Sequence, residues 1–268
     1  MYSSPPDSSP RSKSGRRIAA LVAATVLTAT GIAATAAPAG AATGGPSARA
    51  GSAPVAPHGT TAPLAIGQVI SVDGTGTVTT RKFSTTGPRL LVVFTSAASP
   101  AYMPPTNVVS GAGLSWRQWW QADTQNGASE VWSAMATGPL TGVTVTATPQ
   151  STTYDQSLTV MVFKGAGGVG IGGAASAING APSVTVATTV PGSWIFGVGE
   201  DYTAASRPIP GSGQDIFHKW IDPADNQTFW VQGEAAPAPV VGTKVVFNDT
   251  KPTSDGWSLA AIEVLPAG

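Results

Sequence analysis

Five carboxylates lie in or beside apolar, strand-like segments: Glu130, Glu200, Asp201, Glu234 and Glu263. A pair of such groups about 5 to 10 Å apart is all that glycoside hydrolysis requires. Glu200-Asp201 is the most suggestive pair, because it closes an apolar run in which Gly197 and Gly199 leave a gap on one face, so that a loop could present both charges. A solvated acid pair at a strand end, or one bonded to Arg207, is the plainer account of the same residues.

Tryptophan supplies the second kind of chemistry, with eight in a chain that has four tyrosines. A flat ring flanked by amide and guanidinium donors suits sugars, since the ring covers the apolar face of a pyranose while polar neighbours bond its hydroxyls. Strand parity predicts which rings are free for this. With Leu114 and Trp116 inward, Trp120 also turns inward and Trp119 turns outward beside Arg117 and Gln121; a single bulge would exchange Trp119 and Trp120. Farther on, Phe229 and Val231 share one face, and Trp230 shares the other with Thr228, Gln232 and Glu234. Trp119, Trp230, Gln232, Arg117 and Asp201 are therefore the expected ligand-binding residues. Packing of both rings under loops, with Trp119 stacked on Arg117, is the competing explanation.

Other chemistries fail for want of residues. Cysteine is absent, which excludes thiol nucleophiles, disulfide scaffolds and Cys-based metal sites. Of the two histidines, His58 falls in a Pro/Gly-rich stretch, and His218, beside Ile216 and Trp220, reads as a hydrogen-bonded, partly buried imidazole. Gly165-Ala-Gly167-Gly-Val-Gly170 spells a dinucleotide fingerprint, but no acid follows before Glu200 and no helix is predicted, so a glycine-rich sheet edge is expected there. No cofactor is expected. Calcium is conceivable at the oxygen-rich turns Asp222-Pro-Ala-Asp225-Asn226 and Asp73-Gly74, although turn chemistry explains both.

The elements that must position these residues are strands. Only 10% of the 268 residues are charged, while Gly numbers 32 and Pro 23, a turn-rich composition that disfavours long helices. Val143 and Val145 alternate with polar residues in 142–148, as do Val184 and Val186 in 183–188, giving the period of a half-buried strand. Leu90–Phe94, Leu158–Phe163 and Trp194–Phe196 are short apolar runs that read as central strands buried on both faces. Asn126-Gly127, Asn179-Gly180, Asp73-Gly74 and Asp255-Gly256 mark turns. About a dozen strands and no repeat of fixed period predict an all-β fold: a two-sheet antiparallel β-sandwich, jelly-roll-like, over 64–268.

Residues 1–42 read as a signal peptide. A basic run, Ser12–Arg17, precedes twenty weakly hydrophobic residues and a small-residue end at Ala39 and Ala41. A permanent anchor would need a more apolar span, and the match around Arg16-Arg17 to a twin-arginine signal is poor. Residues 43–63 read as a flexible linker. Without residues 1–42, 14−4 = 10 basic residues face 14−1 = 13 acidic ones, which gives no footprint for nucleic acid, and no membrane partner is expected after cleavage.

Gly113-Leu-Ser-Trp116, Glu130-Val-Trp132, Tyr154-Asp-Gln-Ser-Leu158, Gly197-Val-Gly-Glu-Asp-Tyr202, Thr228-Phe-Trp-Val-Gln232 and Ile262-Glu-Val264, in this order, resemble an uncharacterised β-sandwich module of secreted bacterial proteins, often found beside fibronectin-like or carbohydrate-binding modules. Tyr202 stands where that pattern has Trp, and the Trp119-Trp120 pair is foreign to it. The resemblance implies a secreted sandwich and no particular reaction. The expectation is a secreted, extracellular, non-catalytic module that binds a polysaccharide or cell-wall glycan through exposed aromatic residues. A hydrolase using Glu200 or Asp201, and a structural or adhesive module with no small ligand, are the alternatives.

Overall fold

The computed structural model describes residues 62–98, 107–124 and 126–268. These contain fifteen β-strands and no helix. The first eight are β1 (Ala65–Thr75), β2 (Val78–Thr79), β3 (Arg89–Ala97), β4 (Asn107–Gly111), β5 (Arg117–Ala122), β6 (Ala128–Ala136), β7 (Val145–Pro149) and β8 (Asp155–Lys164). The other seven are β9 (Ala166–Ala177), β10 (Ser183–Ala187), β11 (Trp194–Asp201), β12 (Gln214–Asp222), β13 (Gln227–Glu234), β14 (Lys244–Asn248) and β15 (Trp257–Pro266). All pairings are antiparallel.

The all-β sandwich expected from composition is present, but it has four sheets where two were expected. One five-stranded sheet runs β1-β8-β3-β6-β5 and the other β12-β13-β11-β15-β9. Read from β9, the second order is β9-β15-β11-β13-β12, which is the first order with each strand replaced by its counterpart later in the chain. A small sheet β2-β7-β4 belongs to the first half and β10-β14 to the second. Among the described residues each half thus has a jelly-roll order, and the two halves form one compact body.

The register repeats as well. Phe94 lies opposite Val131 and Thr159 in the first half, and Val198 lies opposite Val231 and Ala260 in the second. The slip in the β5–β6 ladder between Gln118 and Trp120 recurs in β12–β13 between Ile216 and His218, so Trp119 and Phe217 occupy equivalent bulges. Equivalent residues are 100 apart at Val131 and Val231 but 104 apart at Phe94 and Val198, which is why the sequence shows no fixed period.

Three cores hold the layers. The two large sheets enclose Val92, Phe94, Met161, Phe163, Phe196, Val198 and Ile262. Tilted ring pairs, with Phe163 5.0 Å and Phe94 6.4 Å from Phe196, fill its centre. The small sheet of the first half covers the outer face of its large sheet through Val78, Val109, Val145 and Ala147, and the β10-β14 pair covers the other through Val184, Val186, Val245 and Phe247. The large sheets are therefore buried on both faces, as the continuous apolar runs Leu90–Phe94 and Leu158–Phe163 require. His218 and Asp73 tie β12 of one half to β1 of the other, with Nε2 2.8 Å from Oδ1.

Candidate functional site

Several expected ligand-binding residues lie in the interior. Trp230 is 1% exposed, and Gln232 and Asp201 are 0% exposed. Parity placed Trp230 correctly on the polar face of its strand, but a second sheet covers that face. The Trp230 indole lies across Gly199, where a Cβ would collide with it, and Phe247 lies 3.5 Å from the place of a Cβ on Gly197. The gap expected above these glycines is thus filled. Trp230 Nε1 donates to Gln232 Oε1 at 3.0 Å, and Asp249 lies beside both side chains. Trp230 and Gln232 are packing residues, not an open platform.

Trp119 and Arg117 behave differently. Trp119 is the extra residue of the β5 bulge, so it and Trp120 both pack toward the core between the large sheets, while Trp116 packs against the outer core. The Arg117 guanidinium sits 3.9 Å over the Trp119 ring, whose Nε1 donates to Ser133 Oγ at 2.8 Å. The exposed side of this half-buried ring is occupied by its own neighbour.

Four of the five carboxylates accept hydrogen bonds from named donors, and the fifth, Glu200, is fully buried. Glu130 Oε1 accepts the Asn107 backbone N–H at 3.0 Å and Oε2 accepts Trp132 Nε1 at 2.8 Å; burial outweighs these bonds and pushes its carboxyl up to about 7. Glu263 accepts from Thr189 N at 2.6 Å, Thr189 Oγ1 at 2.7 Å and Ile171 N at 3.3 Å. Burial works to raise it, but these donors, Thr189 N foremost, bring it below the ordinary value. Glu234 Oε2 accepts the Ile195 amide at 3.1 Å. Glu200 and Asp201 point to opposite faces of β11. Glu200 packs where a side chain on Gly127 would stand, and burial followed by the Asp201 charge raises it well above the ordinary value. Asp201 Oδ1 accepts from Thr203 N, Thr203 Oγ1 and Ala204 N at 2.9 to 3.1 Å, and burial still lifts it to about 6. Both are 0% exposed, whereas the hydrolase reading expects an open cleft.

A cavity that the sequence did not announce opens where strand ends of the two halves meet. Its volume is about 480 Å³, and it is lined from the first half by Thr75, Ala98, Asn126, Thr153, Tyr154 and Asp155, and from the second by Tyr202, Asp225 and Gln227. Topology explains the gathering. Asn126 is in the β5–β6 turn and Asp225 in the equivalent β12–β13 turn, while Ala98 follows β3 and Tyr202 follows the equivalent β11. Residues scattered over 150 positions converge because the halves present matching loops.

Carboxylate oxygens of Asp155, Asp222 and Asp225 all lie within 4.8 Å of one another at this cavity, a donor set of the kind a hard cation takes. Asp155 Oδ1 accepts Thr75 Oγ1 at 2.6 Å. Asp222 Oδ1 accepts the Ala224 amide at 2.9 Å, and Asn226, at φ 57°, holds 203–205 through its side-chain amide. Local turn chemistry thus accounts for Asp222 and Asn226, two members of the candidate calcium turn. The other calcium candidate, Asp73-Gly74, is taken by the His218 contact to both Asp73 oxygens, at 2.8 and 3.1 Å. The Gly165–Gly170 fingerprint opens the edge strand β9, with neither a loop nor a helix at its third glycine.

No family model, curated protein or solved structure matches the chain.

Proposed function

We propose that the chain is a secreted, non-catalytic module that binds a glycan or cell-envelope polymer, and that the ligand seats in the cavity between the two jelly-roll units. The observation carrying this reading is the composition of that cavity. Two tyrosine rings, Tyr154 and Tyr202, stand with the amides of Asn126 and Gln227, the Thr75 and Thr153 hydroxyls and the carboxylates of Asp155 and Asp225. Rings supply an apolar stacking surface, and the polar groups supply donors and acceptors for hydroxyls. Burial and the nearby Glu200 and Asp201 charges raise the Tyr202 phenol, so it stays neutral and can donate. Export follows from the expected signal peptide, and the resemblance to secreted bacterial sandwich modules points the same way.

Retention of the purified 43–268 chain on immobilised polysaccharides tests the reading. Tyr154→Ala and Tyr202→Phe are expected to weaken retention, whereas Arg117→Ala is expected to leave it unchanged. Retention lost with Arg117→Ala and kept with both tyrosine variants would return the site to the Trp119 face. A chain retained by no polysaccharide would leave the structural or adhesive reading.

A further inference from the structure

We propose that the two outer sheets are held down by a matched pair of buried clusters, each of an acid, a tryptophan and an amide, that act as a pH-dependent latch: each outer sheet is fastened while its carboxyl is protonated and loosens when that carboxyl ionises. The latch is independent of any ligand. Because Val131 and Val231 are equivalent, Glu130 and Trp230 hold the same place on β6 and β13, as do Trp132 and Gln232. In the first half the large sheet supplies the acid and the indole. Glu130 Oε2 accepts Trp132 Nε1 at 2.8 Å, and Oε1 accepts from Asn107 of β4, from its N at 3.0 Å and its Nδ2 at 3.5 Å. In the second half the large sheet supplies the indole and the amide, Trp230 Nε1 donating to Gln232 Oε1 at 3.0 Å. There Asp249, immediately after β14, brings the acid to both. Each cluster thus joins a large sheet to its outer sheet, and Glu130, Asn107, Trp230, Gln232 and Asp249 are all at most 2% exposed.

Both places suit a neutral acid better than a charged one. The Asp249 oxygens lie beside Trp230 and Gln232 without a hydrogen bond of normal geometry, and Asn107 Oδ1 is a buried acceptor that a proton on Glu130 would meet after rotation of that amide. Burial lifts both acids to about 7. Neither has an ion-pair partner among the described residues. Thr95, Gln121 and Asn107 face Glu130 from β3, β5 and β4, Asp123 is the acid whose charge reaches it, and the sequence of 99–106 holds no charged residue. The charged residues on the segments packed around Asp249 are Lys244 on β14, Lys219 and Asp215 on β12, Glu234 on β13 and Asp201 on β11, with Lys251 and Arg207 flanking the Ile209–Lys251 bridge. The strands above these acids, β2, β4, β7, β10 and β14, have five residues or fewer, and a two-stranded sheet is marginal alone. Local opening of an outer sheet therefore hydrates the carboxylate while the large sheets stay folded. An acid raised in the closed state holds a proton that the open state gives up. Closing is thus favoured below the ordinary carboxylate range, weakens as the pH rises and has lost this contribution above about pH 7.

Hydrogen exchange of the 43–268 chain between about pH 5 and pH 8, with times scaled for the intrinsic rate at each pH, tests this. Protection in β4, β7, β10 and β14 is expected to fall at least about tenfold between pH 5 and pH 7.5 and then level off, while β3 and β11 keep theirs. Glu130→Gln is expected to hold β4 and β7 constant and leave the fall in β10 and β14, and Asp249→Asn to do the reverse. Should a variant fail to fold, the wild-type profile alone still decides, because only the latch confines the fall to the outer sheets. Outer-sheet protection that is independent of pH, or that is lost in step with β3 and β11, would overturn the proposal. So would a fall in β4 that survives Glu130→Gln, or one in β14 that survives Asp249→Asn.

Discussion

Glu130→Gln should make the protein more stable at alkaline pH and flatten its pH dependence. Glu130 is fully buried against the outer face of its sheet, bonded to Asn107 and Trp132, and burial lifts its pKa from the ordinary 4.5 to about 7. A group raised on folding takes up a proton as the chain folds. Its stabilising contribution is therefore complete below about pH 4.5, declines through the interval to pH 7 and is lost above it. That rise corresponds to roughly 3 kcal/mol at most, and relaxation around the charged form reduces it. Glutamine keeps the shape and one acceptor but cannot ionise. Urea unfolding at intervals from pH 4 to pH 8.5 should show the stability difference, variant minus wild type, rising by about 1 to 3 kcal/mol across that range. Taking the difference removes groups that titrate in the opposite sense, such as Glu263, whose lowered pKa adds stability above the carboxylate range. A difference independent of pH would refute the argument that burial controls this carboxyl.

Asp249, beside Trp230 and Gln232 and also pushed up to about 7 by burial, should give the same rising difference in Asp249→Asn. Trp230→Ala should cost about 3 to 5 kcal/mol in thermal or urea unfolding or prevent folding, because the ring is 1% exposed and fills the space over Gly199. Gly199→Ala should cost about 1 to 3 kcal/mol by forcing that ring aside, and a neutral result would show that the ring can move freely. His218→Ala should cost no more than about 1 kcal/mol, since its bond to Asp73 is partly exposed to solvent.

Strands were legible in the sequence because their period survives any packing. Val184 and Val186 alternate in 183–188 and do turn inward from β10, and Leu90–Phe94 reads as a doubly buried strand and is one. Exposure was less legible. Polar neighbours on Trp230's face suggested solvent, but in a four-layer fold that face is roofed, so Gln232 is a buried hydrogen-bond partner. Parity failed at Trp119 because a bulge adds one residue to the strand, and nothing in Arg117–Ala122 marks where the extra residue falls. The cavity was least legible of all. Tyr154, Tyr202 and Asp225 occupy separate loops with no shared motif, and only the duplicated strand order brings them together. In the sequence Asp225 stands out only as a member of an oxygen-rich turn that could hold calcium.

Hydrogen exchange of the 43–268 chain with and without a bound oligosaccharide tests the site most directly, because it reads position without relying on any variant. Protection is expected at the β5–β6 turn around Asn126, at Thr153–Asp155, at Tyr202 and at the β12–β13 turn around Asp225, with exchange in Arg117–Trp120 unchanged. Protection confined to Arg117–Trp120, with those four segments unaffected by saturating ligand, would contradict the assignment of the site to the cavity.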